Sequence, residues 1–216
     1  STSDIIVKLG DSTYNIRELL ANKNDSTQFK QKSNVGNNYD MDNDNTTKIT
    51  VNGGLNQNDM VGGTLNNDII IINGDVQSGT NINSTDGNDI VAILGNIYGG
   101  SFAGDNGTDY LYLGKPMSKY EILNYNGYEQ GHPDMDFQLK DKDTGGILVV
   151  NNIEGIIFAD GNTFGKVNIV KDTTVEYTVD LSAALTDTDG SETLTAIITG
   201  VPAGATFDSQ FVINDN

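Results

Sequence analysis

The 216-residue chain has no cysteine and a single histidine, His132. A small secreted domain usually carries several disulfides, and a cytosolic protein of this size usually keeps a thiol or two. A chain with neither that works outside the cell needs another staple, and a metal ion is the obvious one. Basic side chains are also scarce: 12 Lys and Arg stand against 30 Asp and Glu, a formal net charge of −18. That balance repels nucleic acid and anionic membrane surfaces and removes both as partners. No apolar run reaches the ~18 residues of a membrane-spanning helix. The first ten residues lack the charged start and apolar core of a signal peptide, so the sequence reads as part of something longer. Recognisable catalytic motifs are missing too: there is no His-Glu-x-x-His, no Gly-x-Ser-x-Gly and no cysteine nucleophile. His132 sits beside Pro133 with no nucleophile to serve. Paired carboxylates abound, but nothing marks one pair as acid and base. The expectation is a protein that is not an enzyme.

What is present argues for a packed β protein. Acidic, Asn- and Gly-rich chains are often disordered, but the runs Ile69-Ile70-Ile71-Ile72 and Ile90-Val91-Ala92-Ile93-Leu94 are those of a core. Residues 1–48 read as a strand (Ile5-Ile6-Val7) and one short helix, capped by Ser12 or Thr13 and lined by Ile16, Leu19 and Leu20. Residues 49–114 are repetitive, residues 115–170 read as strands and turns, and residues 171–216 as a Thr/Val-rich β segment.

The repeat is the most informative feature. Two nine-residue units run Gly54-Leu-Asn-Gln-Asn-Asp59-Met-Val-Gly62 and Gly63-Thr-Leu-Asn-Asn-Asp68-Ile-Ile-Ile71. Longer units follow, with Asp68, Asp89 and Asp109 each preceding a run of β-formers. Aligning Asp68 on Asp89 sets Gly74 over Gly95, Val76 over Ile97 and Gly79 over Gly100. Turn chemistry explains isolated Asn-Gly and Asp-Gly pairs, but not an aspartate returning in register before an apolar strand. The pattern predicts a mainly β fold: a calcium-stabilised solenoid or β-roll-like core, flanking sandwich-like strands and the one helix.

Stacked coils would bring Asp86, Gly87, Asn88 and Asp89 over Asp105, Asn106, Gly107 and Asp109, with Asp59 and Asp68 as further ligands. An oxygen-only donor set suits Ca²⁺ and does not suit soft or imidazole-binding metals. Without a cation, stacked carboxylates repel and titrate upward, which couples metal binding to folding.

These units resemble degenerate copies of the calcium-binding nonapeptide of repeat-in-toxin (RTX) proteins, Gly-Gly-x-Gly-x-Asp-x-apolar-x. Only the units ending at Asp89 and Asp109 keep the glycine two residues before the aspartate; Gln57 and Asn66 replace it in the other two. Residues 136–162 are similar to the strand segment that closes RTX blocks. Residues 180–207, with Asp180-Leu-Ser-Ala-Ala-Leu-Thr-Asp187-Thr-Asp189-Gly-Ser-Glu192 and Gly200-Val-Pro-Ala-Gly, resemble the opening of Ig-like repeats in giant RTX adhesins. That resemblance implies calcium ligands at Asp187, Asp189 and Glu192. Only some 45 residues follow Val170, fewer than the ~100 of an Ig-like domain. Either that segment pairs with the N-terminal strands or the repeat module is inserted into a split sandwich.

The resemblance further implies an extracellular, monomeric ligand-binding module of a bacterial surface adhesin. Its partner is a short peptide or protein C-terminus on another surface, held in part by Ca²⁺. A Ca²⁺-dependent carbohydrate-binding module and a purely structural extender are the alternatives. Candidate ligand walls are Tyr98, Tyr110 and Tyr112 beside the aspartates. Tyr125 and Tyr128 sit in a second candidate region, the Gly/Asn/Tyr loop 124–136.

Overall fold

The computed structural model describes residues 5–21, 31–32, 37–40, 48–126 and 135–170. Residues 171–216 and the loop 127–134, which hold the sandwich-like segment, Asp187, Asp189, Glu192, Tyr128 and His132, lie outside the described residues.

The chain opens with β1 (Ile6–Leu9), β2 (Ser12–Asn15) and α1 (Ile16–Ala21), followed by β3 (Gln31–Lys32) and β4 (Asn37–Asp40). The repeat region supplies β5 (Lys48–Asn52), β6 (Met60–Gly62), β7 (Ile69–Asn73), β8 (Asn81–Asn83), β9 (Ile90–Ile93), β10 (Gly100–Ala103) and β11 (Tyr110–Leu113). Then come β12 (Tyr120–Asn126), β13 (Met135–Asp141), β14 (Ile147–Ile153), β15 (Gly155–Phe158), β16 (Thr163–Gly165) and β17 (Ile169–Val170).

The repeat coils into a β-solenoid with two parallel walls. One wall runs β5-β7-β9-β11-β15 and the other β4-β6-β8-β10-β14. Between them, Leu55, Val76 and Ile97 stack as single parallel bridges on a narrow third side. Val76 and Ile97 pair as the sequence alignment expects. Asn81, however, pairs with Ser101, a step of 20 rather than 21, so the last unit loses its residue between Ile97 and Ser101. Gly99 keeps the step of 21 and lies against Ser78, while Gly100 lies against Thr80, so Gly79 falls over neither glycine.

The stack also runs past residue 114, where the sequence periodicity stops. The hairpin strands β12 and β13 extend the second wall antiparallel, after which β14 returns parallel to β10 and β15 parallel to β11. Asp141 anchors this excursion. Fully buried, it accepts hydrogen bonds from Ile97 N–H (3.0 Å) and from the Lys115 ammonium (2.7 Å). Burial pulls the Lys115 pKa down, but hydrogen bonds to Asp141 and Asp143 outweigh it and leave the ammonium above its usual range.

Apolar side chains explain why the coils close. Ile70, Ile72, Val91, Ile93, Leu111, Leu113, Ile156 and Phe158 from the first wall meet Val61, Ile82, Phe102 and Val150 from the second. Each fully buried side chain of this size contributes ~1.5–3 kcal/mol. The first wall is buried on its outer face as well: Ile71, Ile90, Ala92, Tyr110, Tyr112 and Ile157 pack under Val7, Leu9, Ile16 and Leu19. Double cover is why β7, β9 and β11 read as continuous apolar runs and not as alternating ones.

The N-terminal segment differs in one respect from its sequence reading. Residues 12–15 pair with β1 as a strand, so Ser12 and Thr13 are not helix caps. Asn15 caps α1 instead, its Oδ1 accepting Arg17 N–H at 3.0 Å and Glu18 N–H at 3.4 Å.

Candidate functional site

Each coil passes from the second wall back to the first through a tight turn that ends in an acidic residue. Because the first-wall strands pair in register, Asp68, Asp89 and Asp109 fall into one file, and Glu154 continues it immediately before β15. Asp68, Asp89 and Asp109 are almost fully buried. The backbone N–H of each acid in turn donates to the carboxylate one coil further on: Asp68 to Asp89 Oδ1 (2.8 Å), Asp89 to Asp109 Oδ1 (3.0 Å) and Asp109 to Glu154 Oε2. The carboxylates also close their own turns, as where Asp68 accepts from the Thr64 N–H and hydroxyl. Part of this edge is thus a hydrogen-bond ladder made by the chain itself.

Neighbouring files use the same device. Asn88 N–H donates to Asn67 Oδ1 (2.9 Å), Thr108 N–H to Asn88 Oδ1 (3.0 Å), and Asn106 Nδ2 to Asp86 Oδ1 (2.8 Å). Gly87 and Gly107 let these turns stack closely. They form a parallel bridge, have φ values of 141° and 144°, and a methyl group on Gly107 would overlap the Gly87 carbonyl oxygen. Asp105 lies in the same turn in a left-handed conformation, with φ at 65°. The predicted set Asp86–Asp89 over Asp105–Asp109 is therefore brought together at one edge.

Asp59 is not part of it. It precedes β6 at the opposite corner of the coil, where the in-register residues of the next two coils are Thr80 and Gly100. Its Oδ2 accepts Asn56 N–H at 2.8 Å and closes that turn. The nine-residue step from Asp59 to Asp68 is half a coil, which carries the chain from one corner to the other. Glu154 is the acid that sequence reasoning missed. Its signal was the same acid-then-apolar pattern, Glu154-Gly155-Ile156-Ile157-Phe158.

The electrostatics of the file are uncompensated at Asp89. Its Oδ2 is buried with no hydrogen-bond partner. The Asp68 N–H on Oδ1 and the Ser84 hydroxyl, which also lies 3.4 Å from the Gly104 carbonyl, both lower the Asp89 pKa. Burial dominates, with the negative charges of Asp68 and Asp86 adding to it, and pushes the Asp89 carboxyl up to about 7. Burial raises Asp68 as well, against the hydrogen bonds from Thr64. A buried carboxylate among like charges takes up a proton or a cation. The donor set is all oxygen and anionic, so its chemistry fits a hard cation; Asp89, with the neighbouring acid of one adjacent coil, Asp68 or Asp109, would supply its side-chain ligands. Among the described residues, no three acidic or imidazole side chains converge on one point. Side chains alone therefore do not form a cage, and main-chain carbonyls would have to complete the shell.

The tyrosines divide. Tyr110 and Tyr112 are buried beneath the N-terminal segment, at 2% and 9% exposure, which corrects their assignment as ligand walls. The Tyr110 hydroxyl accepts Asn168 N–H (3.1 Å) and donates to Lys8 O (3.4 Å). Tyr98 and Tyr125 are exposed. Tyr98 lies on the third side of the coil, and Tyr125 packs edge-on against Phe164 with centroids 5.3 Å apart.

No protein-family model matches the chain, and no curated protein matches it. Among solved structures it is similar to the extracellular lipase LipA from Serratia marcescens, with 20% identity and a TM-score of 0.34. The match covers 56% of this chain and 17% of the lipase chain, and nothing about activity follows from it. Among the described residues, no helix is long and apolar enough to cross a membrane.

Proposed function

We propose that the chain is a calcium-dependent ligand-binding module of an extracellular bacterial surface adhesin. The observation that carries the calcium part is the fully buried Asp89, with one carboxylate oxygen unpartnered and the charges of Asp68 and Asp86 beside it. Ca²⁺ takes six to eight oxygen ligands in adaptable geometry, so acids and main-chain carbonyls of successive turns suit it better than they suit Mg²⁺ or a transition metal. When bound, the ion supplies the positive charge that lets neighbouring coils carry stacked carboxylates. A cation staple in a chain without cysteine accords with an extracellular setting.

Ligand binding is the finer part of the reading. A Ca²⁺ short of protein ligands accepts a carboxylate, which favours a peptide or protein C-terminus as the partner. Tyr98, together with Met60, Ile147 and Val149 exposed on the outer side of the second wall, offers apolar contact for neighbouring side chains. The test is titration of the calcium-loaded chain with short peptides bearing a free or an amidated C-terminus, and in parallel with simple sugars. Binding of the free acid that disappears on amidation is the expected result. Sugar binding alone would replace the peptide with a glycan, and binding of neither would leave a purely structural module.

A further inference from the structure

The two ends of the solenoid meet. Ile6 of β1 pairs with Val170 of β17, and Val7 with Ile169, in an antiparallel ladder. Lys8 N–H adds a further rung by donating to Asn168 O at 2.8 Å. The chain therefore enters the coils and leaves them at positions roughly 5 Å apart, the spacing of paired antiparallel residues. Everything between, from the N-terminal cover to β16, is a closed excursion from that point.

We infer that the solenoid is a side module fastened by a strand clasp, so that tension on the flanking chain passes through the β1–β17 pairing and bypasses the coils. This inference rests on strand pairing and is independent of the calcium and ligand readings. An extender must have its entry and exit at opposite poles; a unit whose entry and exit are hydrogen-bonded neighbours adds almost no length to the chain that carries it. Such a unit can instead present its faces sideways while its coils bear no load.

Tyr110 pins the clasp. Its buried hydroxyl accepts from Asn168 N–H and donates to Lys8 O, holding one residue of each flanking segment to the first wall beside Asp109. The ladder is loaded at one end, where Ile6 and Val170 lie, so it opens by unzipping, rung after rung, and not by shear. The clasp should be the first element to yield under force, with the coils following only after it has opened.

The absence of native cysteine makes the test direct. In the full chain, Ile6→Cys with Val170→Cys places two thiols at a Cα spacing that a disulfide accepts. Single-molecule stretching from the two chain ends should show the oxidised double variant lacking about 570 Å of extension, ~164 residues at ~3.5 Å each. The reduced variant and the parent should release that length, preceded by a small opening step. If the pair fails to oxidise intramolecularly, or oxidation leaves the released length unchanged, residues 6 and 170 are not neighbours and the inference is wrong.

A second measurement tests the pin. Tyr110→Phe removes only the hydroxyl. Amide exchange at Lys8 and Asn168 should quicken at least ~10-fold, while coil amides such as Ile90 keep their rates. Unchanged exchange at Lys8 and Asn168 would remove Tyr110 from the clasp, and uniform acceleration across the coils would make it an ordinary core residue.

Discussion

Replacing Asp89 with asparagine removes one buried charge and keeps the Oδ1 acceptor for Asp68 N–H. Burial lifts the Asp89 carboxyl from 3.8 to about 7 in the folded, metal-free chain. Its folded pKa thus lies above its unfolded one, so its contribution to stability is complete below about pH 4 and is lost as pH rises through about 7. Above about pH 8 the wild type carries the whole penalty, up to ~4 kcal/mol at ~1.4 kcal/mol per pKa unit, and relaxation trims this to about 2–4. With EDTA present, Asp89→Asn should therefore be more stable than the wild type at that pH, by roughly 5–15 °C in Tm for a chain of this size. Saturating Ca²⁺ should reverse the order, because the wild type gains binding free energy and the variant has lost an anionic ligand. Thermal unfolding of both proteins in EDTA and in Ca²⁺, at about pH 5 and about pH 8, reads all the terms. A variant that is less stable than the wild type in EDTA at the higher pH would refute the electrostatic reasoning. An order that does not reverse with Ca²⁺ would refute the role of Asp89 as a ligand.

Other sites give independent checks. Asp141→Ala should cost ~1–3 kcal/mol in urea unfolding, since it leaves the buried Ile97 N–H without its acceptor and takes from the part-buried Lys115 ammonium one of its two carboxylate partners, Asp143 remaining. Adding Lys115→Met should recover part of that loss. Gly107→Ala should prevent folding or cost more than ~3 kcal/mol, because a methyl there meets the Gly87 carbonyl. At Gly145, by contrast, φ is positive but the space is open, so alanine should cost only about 1–2 kcal/mol. Asp59→Asn should leave calcium uptake unchanged while weakening its own turn by ~1 kcal/mol, as circular dichroism melts would show.

The coil was legible because its register is written twice, once in the acids and once in the apolar runs. Asp68, Asp89 and Asp109 recur just before strands, and Val76 and Ile97 recur midway, so the sequence carried both the stacking direction and the edge. Where the register was interrupted, legibility failed. Glu154 stands 45 residues after Asp109 because β12 and β13 intervene, and no fixed period reaches across that excursion. Asp59 was misplaced because spacing alone does not separate half a coil from a whole one. Tyr110 and Tyr112 were misassigned because the alternation Tyr-Leu-Tyr-Leu suggests one covered and one open face. The runs Ile69–Asn73 and Ile90–Ile93, which barely alternate, carried the correct message that both faces of this wall are covered. Ser12 and Thr13 are good caps in isolation, but strand pairing with β1 claimed them first.

Calorimetric titration of the decalcified chain with Ca²⁺ tests the central claim most directly. Heat of binding accompanied by a rise in thermal stability, both strongly reduced in Asp89→Asn and intact in Asp59→Asn, is the predicted result. A chain that takes up no Ca²⁺ and melts at the same temperature with and without it would contradict the claim, and would leave the acidic file as a hydrogen-bond ladder sufficient to itself.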